Sequence, residues 1–380
     1  MKSMKIIHTL SQIKYSGAEV MLNLAAPYFK SKGIELHILS FGKELGEYAE
    51  ILRRSGYKIH HIPFKSSLGH FIKVYKFFKK NKFDAIHMHS EGAFFWYTLA
   101  IRLATSVNII RTVHSVFTYK GYLKLRRILQ RFIARKIFKV RFVSIGQSVK
   151  TVEKKILLNS TIIVPNWINL SRFDPLKDDW EKIEAREHLD VPKDALIITS
   201  VGSITKTKNH KDILTAMPEI LAKNKRIFYL NIGDGPMLDE LKAYTQQLNI
   251  SSHVKFAGQM ENVRQALVAT DIYIMPSRYE GLGISLIEAM ACGLPSVVYN
   301  VYGLKDLIVD KVNGFIVEEK PSSLAGAVIK LAENQHLRGE MGENARKMIL
   351  ENYDMKRSLD KLLKLYNVKP SNSKEMVLNS

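Results

Sequence analysis

Residues 277–295 read SRYEGLGISLIEAMACGLP and set two carboxylates, Glu280 and Glu288, around a loop containing Gly281 and Gly283. The preceding DIYIMPS has the β-branched run of a strand. ISLIEAMACG has the pattern of a short helix stopped at Gly293 and Pro295. A glycine loop feeding a helix N-terminus exposes backbone N–H groups without partners, and such groups bind anions such as a diphosphate. Acids beside that anion site would accept hydrogen bonds from hydroxyls. Each acid also has a plainer reading. Glu280 suits a solvated loop, and Ser285-x-x-Glu288 matches a capping box in which the carboxylate only satisfies a backbone N–H. The residues by themselves leave both alternatives open.

Other phosphate chemistries find no support. There is no G-x-x-x-x-G-K-[ST], and no G-x-G-x-x-G follows the first apolar run, where IKYSGAE offers Gly17. No Asp-x-Asp pair is present to clamp a metal-bound diphosphate, and neither a metal nor a cofactor is expected. His87-x-His89 has no evident third ligand, so a structural or substrate-edge role is expected ahead of zinc.

The elements that must position these residues form two series. KIIHTL, IELHILSF, YKIHHIPF, FDAIHMHS, NIIRTVHS, VRFVSIG and TIIVPN read as strands, with amphipathic segments between them. ALIITSVGS, RIFYLNIGDG, HVKFAGQM, DIYIMPS, PSVVYN and GFIVEE form the second series. Strands alternating with helices imply parallel sheets covered on both faces, hence an α/β chain of two doubly wound, Rossmann-like domains. The expected boundaries are 1–172 and 173–353, with a helix at 354–368 crossing back and a disordered tail at 369–380. The long helical pattern after Ser322 is the candidate for that crossing. Ligands of such sheets bind beyond the carboxyl ends of the strands, and the cleft between two such domains is the default site.

Charge divides the chain in the same way. The net charge is +21. Residues 1–170 hold 29 Lys/Arg against 8 Asp/Glu, while the remainder is balanced, and no acid lies between Glu91 and Glu153. YKGYLKLRRILQRFIARKIFKV interleaves apolar residues with cations at helical spacing. One reading is a helix lying on an anionic membrane surface through Lys124, Arg126, Arg127, Arg131, Arg135 and Lys136. The other is a sheet-covering helix with a solvated basic face. No nucleic-acid motif is recognised, and nucleic acid is not an expected partner. Cys292 is the only cysteine, which fits a reducing compartment. MKSMKIIHTL is too short an apolar run for a secretory signal, and Arg102 interrupts AFFWYTLAIRLA well below a membrane span. A cytoplasmic protein is expected.

EGLGISLIE before AMACGLPSVV resembles the E-x7-E signature of retaining glycosyltransferases of the GT-B fold, family 4. SGAE, TVHS, VPNWIN, VGSITKTKN, IGDGP and GLKDLI…NGFIV occur in that family's order, so the resemblance runs from about residue 5 to 320. Bacterial capsular and exopolysaccharide transferases are the nearest in pattern. The resemblance implies sugar transfer from a nucleotide-diphosphate donor, expected to be UDP-linked, to a lipid-linked or glycan acceptor, by an enzyme at the inner face of the cell membrane. It implies that Glu280 contacts donor-sugar hydroxyls and that Glu288 holds the ribose. The N–H groups of Leu282, Gly283 and Ile284 would face the diphosphate beside Gly281, and Lys208 would neutralise it. Gly17 would be the close-approach loop, His114 would bond the sugar, and Met260 would border the base. Ser203 stands where many members carry an arginine, which leaves Lys206 or another residue to replace that cation, and Ser16-Gly17 replaces a double glycine. Two other readings are an inactive scaffold that binds a membrane or nucleic acid, and a sugar-nucleotide epimerase.

Overall fold

A computed structural model describes residues 3–367, so the tail expected at 369–380 lies outside the described residues. Residues 3–167 and 355–367 pack as one compact unit, and Ile168–Asp354 as a second.

The first unit holds β1 (Lys5–Leu10), β2 (Glu35–Ser40), β3 (Lys58–His61), β4 (Ala85–Met88), β5 (Asn108–Val113), β6 (Arg141–Ser144) and β7 (Ile162–Ile163). They form one sheet in the order β3-β2-β1-β4-β5-β6-β7. All its pairings are parallel, and Ile7 lies opposite Ile86 and His8 opposite His87. Helices cover both faces, which is why Ile6, Ile7, Ile86 and Ile110 are fully buried. AFFWYTLAIRLA forms one of these helices, Phe94–Ala104. No helix among the described residues is long and apolar enough to cross a membrane.

The second unit holds β8 (Leu196–Val201), β9 (Ile227–Ile232), β10 (Val254–Phe256), β11 (Ile272–Met275), β12 (Ser296–Tyr299) and β13 (Gly314–Val317). Their order is β10-β9-β8-β11-β12-β13, again all parallel. Every run read as a strand in the sequence is a strand here.

The helical pattern after Ser322 divides. Pro321–Glu333 packs on the helix His210–Lys223, and Gln335–Asn352 on the helix Ile284–Ala291, so both belong to the second unit. Only Met355–Asn367 joins the first unit, where it buries Leu359, Leu362, Leu365 and Tyr366. Its C-terminal carbonyls lack intrahelical partners and find them in the sheet. Asn108 Nδ2 donates to Tyr366 O at 3.1 Å, and Arg141 Nη1 to Leu365 O at 3.0 Å. The Tyr366 hydroxyl lies 2.7 Å from His87 Nδ1, and His87 Nε2 lies 2.7 Å from Thr112 Oγ1. His87 therefore takes the structural role.

Arg131 corrects an expectation. It does not lie on the surface, because a buried ion network holds it. Its guanidinium donates to Glu153 at 2.8 Å and to Glu91 at 3.2 Å, with its side chain fully buried. Arg111 also pairs with Glu91, Tyr119 donates to the same carboxylate at 2.7 Å, and Asn159 Nδ2 donates to Glu153 at 2.6 Å. Breaking a buried ion pair by removing one partner costs about 3–5 kcal/mol, since the other charge stays buried. Arg131→Met is thus expected to destabilise the first unit by roughly that amount in urea unfolding followed by tryptophan fluorescence. A loss below about 1 kcal/mol would mean that the network does not anchor this helix.

Candidate functional site

In a doubly wound sheet the strand order reverses at one pair, and the loops leaving that pair open a crevice at the carboxyl ends. That pair is β8 and β11 in the second unit. Residues 202–208 follow β8 and residues 276–283 follow β11, so Ser203, Lys208, Glu280, Gly281, Leu282 and Gly283 meet at the switch point. The two loops are tied together. Arg278 N donates to Thr207 O at 2.9 Å, and Asn209 Nδ2 to Pro276 O at 3.3 Å.

Lys208 Nζ and Glu280 Oε1 form an ion pair at 2.5 Å, both side chains keeping some exposure. The loop after β12 supports the Glu280 turn from beneath. A Cβ at Gly303 (φ +86°) would come within 2.8 Å of the carbonyl oxygens of Glu280 and Gly281, so only glycine fits.

The helix Ile284–Ala291 begins at Gly283, which adopts φ +69° and offers no side-chain cap. The backbone N–H groups of Leu282, Gly283, Ile284 and Ser285 donate to no group among the described residues. The Ser285 hydroxyl donates to Val201 O at 3.0 Å and accepts from Tyr273 at 2.9 Å. The capping box therefore does not form, which removes the plainer reading of Glu288. That carboxyl makes no hydrogen bond or ion pair to a described residue. Burial raises its pKa to about 7, against an opposing influence from Arg172.

The other expected residues of this unit are less central. Ser203 is exposed, and on its loop Lys206 is an exposed cation with no ion-pair partner among the described residues. Met260 packs against the apolar cluster of Ile197, Leu230 and Ala266, and is partly buried.

In the first unit the switch pair is β1 and β4. Gly17 opens the helix Gly17–Ser31 and is exposed, while the Ser16 hydroxyl bonds to Glu19, whose carboxyl is raised by burial. His114 follows β5, and its Nε2 lies 2.8 Å from His89 Nδ1. His89 Nε2 lies in turn 3.0 Å from His8 Nδ1. The nitrogens of His8, His87 and His89 come within 4.8 Å of one another, which supplies the third histidine that the sequence did not. Yet both nitrogens of His87 and both of His89 are taken by hydrogen bonds, and of the three rings only His8 Nε2 is without a partner among the described residues. One unpartnered nitrogen does not make a metal site.

A second surface lies on the helix Gly121–Lys136. Its exposed face carries Tyr122 (78% exposed), Leu125 (65%), Leu129 (57%) and Phe132 (52%), spaced as one helical stripe. Arg126 and Lys136 are exposed beside them, Lys124 and Arg135 partly so. Arg127 is half-buried, its guanidinium 5.4 Å from the Tyr119 ring centroid. Ile128 and Ile133 of this helix are partly buried and Ala134 fully, so its apolar residues divide between an inner face and the exposed stripe. Sequence reasoning missed His8, Gly303 and Tyr273. His8 was legible only through strand register, and Gly303 stood within a motif but had no role assigned.

Residues 181–348 match the family described as glycosyl transferases group 1, and residues 15–172 match glycosyltransferase family 4. The chain is 25% identical over 307 residues to the UDP-Gal:alpha-D-GlcNAc-diphosphoundecaprenol alpha-1,3-galactosyltransferase of Escherichia coli, covering 78% of each. It is 27% identical over 384 residues to the putative glycosyltransferase EpsF of Bacillus subtilis, covering 96% of each. Among solved structures, a glycosyltransferase from Rickettsia africae superposes with a TM-score of 0.84 at 20% identity, over 98% of this chain and 100% of that one. Anabaena Alr3699/HepE, solved with UDP, gives 0.83 at 18% identity, over 95% and 99%. With both units matched in sequence and the same architecture in solved relatives, the chain belongs to the group 1, family 4 glycosyltransferases of the GT-B fold.

Proposed function

We propose that this glycosyltransferase moves a sugar from a UDP-linked donor to a lipid-linked glycan acceptor at a membrane surface, with retention of configuration and without a metal. The observation that carries the donor site is the group at the β8/β11 switch point. Lys208 paired with Glu280, a row of N–H groups from Leu282 to Ser285 without partners among the described residues, and the buried carboxyl of Glu288 in the same helix are the groups suited to an anion with hydroxyls beside it. UDP follows from the E. coli relative, named for a UDP-galactose donor and a diphosphoundecaprenol acceptor, and from the HepE complex with UDP.

The chemistry follows from the residue types. Breaking the sugar–phosphate bond builds cationic character on the sugar and negative charge on the departing UDP. Preorganised N–H donors and Lys208 stabilise that negative charge at no reorganisation cost during the reaction. In the ion pair with Glu280, Lys208 is held neutralised until a diphosphate arrives, when Glu280 is freed to accept hydrogen bonds from sugar hydroxyls. Lys206 is the nearest candidate for the cation missing at Ser203, although an ammonium lacks the bidentate fork of arginine. Glu288 accepts the ribose hydroxyls, and His114 of the first unit bonds the sugar. Retention would come from attack on the face that UDP leaves, with a donor phosphate oxygen taking the acceptor's proton.

The stripe Tyr122, Leu125, Leu129 and Phe132, flanked by Arg126 and Lys136, is the proposed membrane contact. Apolar burial in the interface and about 1 kcal/mol per nearby cation would act together there.

Four measurements test this reading. In a thermal-shift panel, UDP and a UDP-sugar should raise the melting temperature while GDP- and ADP-sugars and DNA do not. Glu280→Gln and Lys208→Ala should each lower transfer by about a hundredfold with the fold intact by circular dichroism, and full activity in either would sink the assignment. The raised carboxyl of Glu288 adds a pH signature. Hydroxyls donating to it favour its charged form, so binding expels a proton. UDP affinity should be flat above about pH 8 and weaken as pH falls through 7, by up to about tenfold per unit. Glu288→Gln should flatten that profile, and an unchanged profile in the variant would assign the titration elsewhere. For the membrane contact, flotation with anionic vesicles should be salt-sensitive and should fall when Arg126 and Lys136 become Glu and Leu129 becomes Ser. Flotation indifferent to both changes would exclude this helix.

A further inference from the structure

The first unit contains a hydrogen-bonded chain of three imidazoles, of which the proposed chemistry uses only the last. His8 Nδ1 meets His89 Nε2 at 3.0 Å, and His89 Nδ1 meets His114 Nε2 at 2.8 Å. The ring planes are 27° apart in both pairs. The backbone fixes this arrangement, because β1 and β4 pair His8 with His87 in register and His89 N donates to Thr9 O at 3.0 Å. Burial lowers the pKa of His8 to about 3 and of His114 to about 4, with Arg111 adding to the latter, and it takes His89 well below the usual value. All three rings are therefore neutral near pH 7.

A neutral imidazole has one N–H and one lone pair. With one proton in each of the two hydrogen bonds, the chain has only two arrangements. Either every ring carries its proton on Nδ1, or every ring carries it on Nε2. Changing one ring alone leaves a bond with two protons or with none. The three tautomers are thus tied together, and the inner end selects between them. His8 Nε2 is buried without a partner among the described residues. A buried N–H with no acceptor is rarer in proteins than a buried acceptor with no donor. The Nδ1–H arrangement leaves only a lone pair at that atom. At the other end, His114 Nδ1 makes no hydrogen bond to a described residue, so that arrangement gives it a free N–H.

We propose that His8 and His89 are positioning residues that hold His114 as its Nδ1–H tautomer, so that its one free ring nitrogen presents a donor to an oxygen of the transferred sugar. The proposal rests on the reading of His114 as the sugar contact. An isolated imidazole would exchange between tautomers and could present either a donor or an acceptor at that atom. The chain commits it to one, which fixes the direction of the hydrogen bond that the sugar must complete.

The tautomers can be read without any substrate. Long-range 1H–15N spectra of the full-length, histidine-labelled protein should show His8, His89 and His114 protonated on Nδ1 and bare on Nε2. His8→Phe should move His114 towards a mixture of tautomers. His89→Gln, whose amide keeps one donor and one acceptor, should preserve the Nδ1–H form of His114. In transfer assays with a UDP-sugar, His8→Phe should lower kcat by about tenfold and change KM by less than about twofold, and His89→Gln should recover most of the rate. Three Nε2–H rings, or a His114 signal unmoved by His8→Phe, would overturn the proposal. A purely structural role would lower the melting temperature without moving the His114 tautomer, and that result also overturns it. If the wild-type protein shows the chain yet neither binds nor turns over any UDP-sugar, the proposed function fails and the sugar contact with it, while the tautomer assignment stands.

Discussion

Arg131 decides which way the helix Gly121–Lys136 faces, and much of the first unit's surface follows from that. A guanidinium taken out of water must be matched by carboxylates, and the matching groups are Glu91 and Glu153, from segments 40 and 22 residues away. Once Arg131 is fixed inside, residues on the opposite face of the helix have nowhere to go but solvent. Tyr122, Leu125, Leu129 and Phe132 are therefore displayed rather than packed. Apolar residues left exposed in a stripe mark an interaction surface more specifically than scattered cations do. Arg111 joins the same network, stacked 3.8 Å from the Phe94 ring centroid, so two cations and two carboxylates balance within the interior.

The proposed donor site of the second unit follows the opposite rule. Its groups are left partly unmatched. Unpartnered N–H groups at a helix start and an unpartnered, half-buried carboxyl at Glu288 both detract from folding stability. With its pKa raised from the unfolded range to about 7, Glu288 favours the fold below about pH 4 relative to alkaline conditions, and that contribution is lost as pH rises through 7. Such groups persist where a ligand supplies what the protein withholds. The one group with a strong internal partner, Lys208, has it in Glu280, which the same ligand would release.

The inner strands were legible because a parallel strand buried on both faces reads as a near-continuous apolar run, and the partly buried edge runs KIHH and VKF were read as strands with them. The loop that holds Glu280 was legible for a similar reason, since glycines between a strand and a helix have few other uses. What sequence could not settle depended on register and on distant partners. Ser285-x-x-Glu288 has the spacing of a capping box, but the helix starts one residue after Gly283, which places Ser285 inside the first turn rather than at the cap. Arg131 sits among basic residues that look alike in sequence, and only the acids at either end of the acid-free stretch single it out. His8 joins His89 because β1 pairs with β4, a fact of topology rather than of spacing.

The excess charge of the first half also takes a different meaning once it is located. In the proposed reaction the sugar becomes positive in the transition state, and a free cation beside it would oppose that change. Among the described residues, however, no buried cation at the β1/β4 switch point is unmatched, and Lys14 on the loop after β1 is exposed. The groups there are imidazoles kept neutral by burial, and the neighbouring Arg111 reinforces that neutrality at His114. The guanidinium is in turn tied to Glu91, so it opposes protonation of His114 without standing as a free charge. Solvent-facing cations lie also on helices such as Gly121–Lys136, the proposed contact with an anionic surface. Separating a neutral, hydrogen-bonding interior from a cationic exterior is what would let one unit make both the proposed sugar contact and the proposed contact with a charged surface.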